Sequence, residues 1–260
     1  VSPGSGRPLP AARIQADDKA PLILALDTSG PVETFALSQG GLPLAQLHSR
    51  KPRAQGTALM ESIERTLRSL ERKPEDLSVI AVAVGPGSFT GLRVGISIAR
   101  GLADGLGIPT LGYPSTLGWA CAMQGRTLPV GVTLDARRGE LYTALYSTAS
   151  GRPELLRDVR LESPESWARA LAANAAKGAL LVGDGALLYR SLLCSAPDSC
   201  VRIAEPTPVG PDMSWVASDV ARRLVENSLE TERLEPIYLR EHDGAKTRQQ
   251  STGAIRSDPG

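Results

Sequence analysis

Two aspartates and one glycine-rich turn are the residues of this chain best placed to do chemistry. Asp27 closes the apolar run Leu22 to Leu26 and is followed by Thr28 and Ser29. Asp135 closes a second run, Val130 to Leu134, and is followed by Ala136, Arg137, Arg138, Gly139 and Glu140. A carboxylate at the end of a core strand can orient a magnesium-bound water beside a phosphate. The plainer reading of Asp27 is a turn residue that accepts from local N–H groups beside Thr28 and Ser29. The turn Gly85-Pro86-Gly87-Ser88 separates the run Val79 to Val84 from a helical pattern, and the free N–H groups of that helix start could hold an anion with Gly87 and Ser88. This third option is weak, because the turn lacks Lys and Asp and matches neither G-x-x-x-x-G-K-[ST] nor G-x-G-x-x-G.

The elements that must position these groups are legible as apolar periodicity. Leu22–Leu26, Thr34–Leu37 and Leu44–Leu47 read as a three-stranded meander, with a turn at Gln39, Gly40 and Gly41. A helix from Thr57 to Leu70 follows, then the strand ending in the glycine turn, and then a helix from Thr90 to Leu106 that either Ser88 or Thr90 can cap and that Gly107 and Pro109 end. That helix carries a row of small residues, Gly91, Gly95, Ala99 and Ala103, beside a bulky row, Val94, Ile98, Leu102 and Leu106. The small row either packs within the chain or serves as a docking ridge for a second subunit. A short strand at Thr110–Gly112 and a helix from Ser115 to about Met123 complete one half. The second half holds strands at Val130–Leu134, Leu141–Tyr146 and Leu180–Val182, with helices at Trp167–Ala176 and Trp215–Glu226. We expect a 1–20 tail, an N-terminal α/β lobe over 21–123, a C-terminal α/β lobe over 124–240 and a 241–260 tail, with a ligand cleft between the lobes.

Composition narrows the function classes. Twenty-nine Lys plus Arg against 28 Asp plus Glu leave a formal charge of +1, so there is no global attraction for nucleic acid or an anionic membrane. Any RNA contact must be local or lent by a partner. Ten aromatic residues, two Phe, three Trp and five Tyr, are too few and too scattered for a single-strand stacking platform. Three cysteines, Cys121, Cys194 and Cys200, without C-x-x-C spacing point to neither a disulfide framework nor a zinc site, and a reducing cytoplasm is the expected compartment. His48 and His242 form no H-x-x-x-H pair, and GPGSFT is not the G-x-S-x-G of a serine hydrolase. Arg93, in the first turn of a helix whose dipole opposes its charge, calls for a specific acceptor, within the chain or across an interface. Arg137, Arg138 and Glu140 read first as a solvated hairpin tip, and Arg50, Lys51 and Arg53 as a solvated face.

Several blocks together resemble the bacterial TsaB family, also called YeaZ: LILALDTS at Leu22 to Ser29, VAVGPGSFTGLRVGISIARGLA at Val82 to Ala103, IPTLGYPSTLGWA at Ile108 to Ala120, LDARRGELY at Leu134 to Tyr142 and EPIYLR at Glu235 to Arg240. The resemblance implies an actin-like, sugar-kinase-like fold of two α/β subdomains. It places Asp27, Thr28 and Ser29 at the first phosphate loop, Asp135 at the second, and Gly183 and Gly185 in a degraded adenosine motif that Asp184 interrupts. It implies no catalytic or metal-binding residue in this chain and no cofactor required by it, with ATP or ADP and magnesium expected only in the complex. The implied role is a scaffold that pairs with the catalytic TsaD paralogue, joined by the TsaE ATPase, to place threonylcarbamoyl on the adenosine beside the tRNA anticodon. tRNA is then met only through the complex, and the chain alone is expected to form a homodimer through the same helices. Carried onto this sequence, the interface comprises Leu59, Ile63, Thr90, Gly91, Arg93, Gly95, Ala99 and Ala103. Gly85, Pro86, Gly87, Ser88, Arg137 and Glu140 form the family's structural motif, and for the turn holding Arg137, Arg138 and Glu140 the resemblance implies lobe packing or complex formation first and RNA-phosphate contact by Arg137 second. Gln55 stands where relatives often have histidine. The rival reading is an autonomous enzyme, a kinase-like ATPase or a glycoprotease-like peptidase, working from the cleft.

Overall fold

The computed structural model describes residues 20–50, 57–175, 177–194, 200–226 and 234–239. The expected tails apart from Ala20, and Lys51, Arg53, Gln55 and His242, lie outside them. Two five-stranded sheets share one topology. In the first, β1 (Leu22–Asp27), β2 (Glu33–Gln39) and β3 (Leu42–Ser49) form an antiparallel meander, and β4 (Leu77–Gly85) and β5 (Thr110–Pro114) add parallel to β1 in the order β3-β2-β1-β4-β5. In the second, β6 (Val130–Arg137), β7 (Glu140–Ser147) and β8 (Glu154–Glu162) repeat the meander, and β9 (Ala179–Val182) and β10 (Val201–Ile203) repeat the parallel half. The actin-like duplicated fold expected from the sequence is therefore present.

The alternation of side chains along each strand sorts the core into layers. Leu22, Leu24, Leu26, Ile80 and Val82 face α1 (Thr57–Ser69) and α2 (Phe89–Leu106), meeting Leu59, Ile63, Leu67, Ile96 and Ala99. The other face is built from smaller residues, Ala25, Ala36, Ala81 and Ala83, and this flatter surface takes α7 (Met213–Val225) through Met213, Val216, Ala217 and Val220. The second sheet packs α4 (Pro164–Asn174) and the short α5 (Asp184–Leu188) and α6 (Arg190–Leu193) on one face, centred on the buried Trp167. Its other face meets Trp119, Ala120 and Met123, at and just beyond α3 (Ser115–Cys121).

Helix packing crosses the expected division at residues 123 and 124. The two halves interleave: α3 lies between the sheets, with Cys121 in the first core and Trp119 and Ala120 in the second, while α7 leaves the second half to cover the first sheet. Leu234 also returns to the first core, and Ile237 donates its N–H to the carbonyl of Val84 at 2.7 Å. Apolar periodicity marks which face of a helix is buried but not which sheet it is buried against.

Candidate functional site

The Asp27-Thr28-Ser29 turn and the glycine loop are built as one unit. Asp27 Oδ1 accepts the N–H of Ser29 at 2.7 Å, Ser88 N–H donates to the Ser29 carbonyl at 2.7 Å, and Thr28 Oγ1 donates to the Gly91 carbonyl at 2.7 Å. Ser88 is the N-cap of α2, accepting from Gly91 N–H, and Gly107 closes the helix in the left-handed conformation with φ 68°. The glycines permit this stitching. A Cβ at Gly87 would lie 2.5 Å from the Ser29 carbonyl oxygen, one at Gly91 would overlap the Thr28 carbonyl oxygen, and one at Gly95 would overlap Thr28 Oγ1. A close backbone approach of this kind is available to glycine alone.

The small-residue ridge is consequently an internal feature. Gly91, Gly95, Ala99 and Ala103 are buried against the chain's own β1 turn and first core, as are Leu59 and Ile63 of α1. Of the proposed interface set, Thr90 and Arg93 remain exposed. A step of four small residues signals a close approach without saying to what, and here the approaching backbone is the Asp27 turn. On the opposite side of α2, Ser97, Gly101 and Gly105 form a second, exposed row at the same spacing, and a Cβ at Gly101 or Gly105 would meet nothing within 4 Å. Sequence reading passed over this row, although the spacing was there to be seen.

Asp27 is 1% exposed. Among the described residues its Oδ2 has no hydrogen-bond partner, and burial raises its pKa from the ordinary carboxylate range to about 6, against the lowering effect of its bonds to Ser29. Tyr113 packs close by, its hydroxyl donating to the Leu26 carbonyl at 2.7 Å, and burial together with the charge of Asp27 pushes its own pKa up. Asp135, from the other lobe, is held by Arg137: its Oδ2 pairs with Nη1 at 2.9 Å and its Oδ1 accepts the Arg137 N–H at 2.8 Å. Asp184 Oδ1 accepts from Asp135 N–H and Gly185 N–H, both at 3.0 Å, and burial raises its pKa. Gly183 and Gly185 let this turn lie directly on β6, since a Cβ on either would collide with the backbone around Thr133 to Asp135.

A cleft of about 570 Å³ separates the lobes. Ser29, Gly87, Ser88, Phe89 and Thr90 line one wall, while Asp135, Arg137, Arg138, Tyr142 and Asp184 line the other. Of the expected nucleotide set, Ser29 and Asp135 line the cleft, while Asp27, Thr28, Gly183 and Gly185 are not among its lining residues. A magnesium–phosphate site of the sugar-kinase kind needs a carboxylate presented from each lobe. With Asp27 buried and both carboxylate oxygens of Asp135 engaged by Arg137, the residues do not fit it. Among the described residues no group of three or more His, Cys, Asp or Glu side chains could hold a metal ion.

What the cleft does gather is aromatic. Phe89, Trp119, Tyr142 and Tyr238 all line it, with Ile237 beside them. Phe89 and Tyr238 stand 5.3 Å apart between ring centroids, and the Arg93 guanidinium lies 3.8 Å over the Phe89 ring. The acceptor that Arg93 required is therefore an aromatic face. Opposite, Arg137 and Arg138 have φ of 63° and 57°, a left-handed hairpin tip that costs non-glycine residues roughly 1 kcal/mol each and aims both side chains at the cleft. His48 is structural, its Nδ1 3.0 Å from Thr34 Oγ1 and its Nε2 3.2 Å from Gln46.

Residues 51–184, about half of the chain, match the family model for TsaD, tRNA N6-adenosine threonylcarbamoyltransferase. The TsaB tRNA threonylcarbamoyladenosine biosynthesis protein of Bacillus subtilis is 35% identical over 131 residues, 50% of this chain and 56% of that protein. Its namesake in Escherichia coli is 27% identical over 241 residues, 84% of this chain and 94% of that protein. The solved structure of YeaZ from Pseudomonas aeruginosa superposes with a TM-score of 0.70 at 25% identity, covering 84% of this chain and 100% of that one. No helix among the described residues is long and apolar enough to cross a membrane.

Proposed function

This chain belongs to the TsaB (YeaZ) family, within the wider family described by the TsaD model, and on that premise we propose that it is a non-catalytic subunit of a tRNA-modifying complex. In this reading it binds and activates a TsaD-type paralogue that transfers a threonylcarbamoyl group to the adenosine beside the anticodon of tRNAs reading codons that begin with adenine. A TsaE-type ATPase joins the complex in the cytoplasm, and any nucleotide with magnesium belongs to the assembly. Alone, the chain self-associates through the face that takes the paralogue.

One observation carries the docking claim: the open glycine row on the outside of α2. Each interior helix glycine costs about 1 kcal/mol relative to alanine, and Gly101 and Gly105 bring no close contact within the chain to offset that cost. A second helix crossing there would supply the contact. Val94, Ile98 and Leu102, half-buried beside the row, supply apolar area, and exposed Phe89 and Tyr238 continue the surface to the mouth of the cleft. The missing magnesium geometry at Asp27 and Asp135 supports a subunit that does no phosphoryl chemistry of its own.

The test is to mix the purified chain with the TsaD-type paralogue from the same source and follow mass by light scattering during size exclusion. A heteromeric species that replaces the separate ones, and that transfers threonylcarbamoyl to tRNA when either subunit alone does not, is the expected result. Independent elution, or nucleotide turnover by the isolated chain that Asp27→Asn abolishes, would overturn the proposal.

A further inference from the structure

The second lobe carries a pocket of about 370 Å³ that the cleft does not include, and its walls are cationic. Arg126 comes from the turn after α3, Arg190 opens α6, and Arg202 projects from β10, an edge strand hydrogen-bonded on one side only to β9. Glu205 is the one carboxylate among the described lining residues, and it is shared with Arg190 at 3.6 Å. Three guanidinium groups against one carboxylate make a strongly positive concavity in a chain whose formal charge is +1. Met123 and Ile203 give it an apolar floor.

The chemistry narrows what fits. Guanidinium forks favour planar or tetrahedral oxyanions, phosphate above all, and they stack on flat rings. Arg126, Arg190 and Arg202 come from three separate segments and are exposed, so they can follow an extended polyanion and are not closed around a single small ion. We propose that this pocket holds adjacent backbone phosphates of RNA, giving the second lobe a sequence-independent contact with the tRNA that the assembled complex modifies. The proposal rests on the functional reading above for the identity of the RNA. The phosphate chemistry of the pocket stands apart from it. It also meets the requirement set by composition, that positive charge for RNA be local.

The experiment compares the wild-type chain with an Arg126→Glu/Arg202→Glu double variant, each in complex with the TsaD-type paralogue, by titrating tRNA at several salt concentrations. The variant is expected to bind tRNA about tenfold or more weakly. Its slope of log affinity against log salt should be shallower by about 2, since each lost phosphate contact removes close to one released counterion. Arg202→Lys should keep most of the slope, and circular dichroism melting should be unchanged in both variants. Inorganic phosphate and a mononucleotide form a second arm with the isolated chain. Saturable micromolar binding there that the double variant loses, with tRNA affinity unaltered, would assign the pocket to a small phosphate and overturn the RNA claim. Unchanged binding in both arms overturns the pocket altogether. If the wild-type chain fails to pair with the paralogue, the functional reading falls, and the pocket is then judged by the same tRNA titration on the chain alone.

Discussion

The two lobes are built on one plan and finished for different work. Each has a meander of three strands followed by two parallel strands, yet the helix after β4 has 18 residues while its counterpart after β9 is split into pieces of 5 and 4. In the first lobe β1 and β2 are buried along their whole length and a long α2 lies across the sheet with a free outer face. In the second lobe β8 is an edge strand with Leu155 and Leu156 exposed, and the short α5 and α6 offer no comparable face. A duplicated sheet can thus keep its topology while the helices laid on its two copies differ in length and exposure.

The contrast is sharpest on α2 itself, where inner and outer glycines should respond oppositely. Gly95→Val forces a branched side chain into Thr28 and should cost more than about 3 kcal/mol by overpacking, read from urea unfolding midpoints. If Gly95→Val is as stable as wild type, the internal account of the ridge is wrong. The second lobe adds a buried ion pair to its apolar core: Arg157 and Glu162 pair at 2.7 Å with side chains 12% and 9% exposed. Burial drives the Glu162 pKa up, but hydrogen bonds from Arg157, Thr143 and Ser166 outweigh it and hold the carboxyl below its usual range. Arg157→Ala should therefore lose about 3 kcal/mol by leaving that carboxylate unpaired, and a loss under about 1 would place the lobe's stability elsewhere.

Asp27 gives a pH-dependent test. Its folded pKa of about 6 lies above the unfolded value of 3.8, so the folded state holds its proton longer. Stability contributed by this group falls as pH rises from about 4 to about 6 and stays low above it. Complete ionisation costs about 3 kcal/mol. Asp27→Asn keeps an oxygen for the Ser29 N–H and should gain up to about 2 kcal/mol at pH 8 while gaining little at pH 4. A flat difference across that range would show Asp27 to be ordinarily solvated. The smallest effect belongs to the outer face, where Gly101→Ala should raise stability by up to about 1 kcal/mol.

Much of the first lobe was legible because its strands are fully buried and its turns are punctuated: the DTS turn, the Ser88 cap and the Gly107 stop all stand where the residues place them. The second lobe was harder to read. In β8, Glu154 to Glu162, Arg157 stands among Leu155, Val159 and Leu161 on one face and Leu156 among the charged residues of the other, so the period of two is blurred in the sequence. β10 has only three residues, and α5 and α6 are too short to show a helical repeat. For the site, local sequence marked Asp27, Asp135 and the glycines but not their partners. That Gly95 lies against Thr28, that Asp27 is sealed, and that Phe89, Trp119, Tyr142 and Tyr238 converge are facts of tertiary folding between segments far apart in the chain.

The central claim is that α2 packs inward through one glycine row and docks outward through another. It is tested most directly by titrating Gly101→Arg against the TsaD-type paralogue in analytical ultracentrifugation, beside wild type. The account predicts a variant that melts at or above the wild-type temperature and no longer forms the heteromer. A stable Gly101→Arg chain that pairs with undiminished affinity would contradict it.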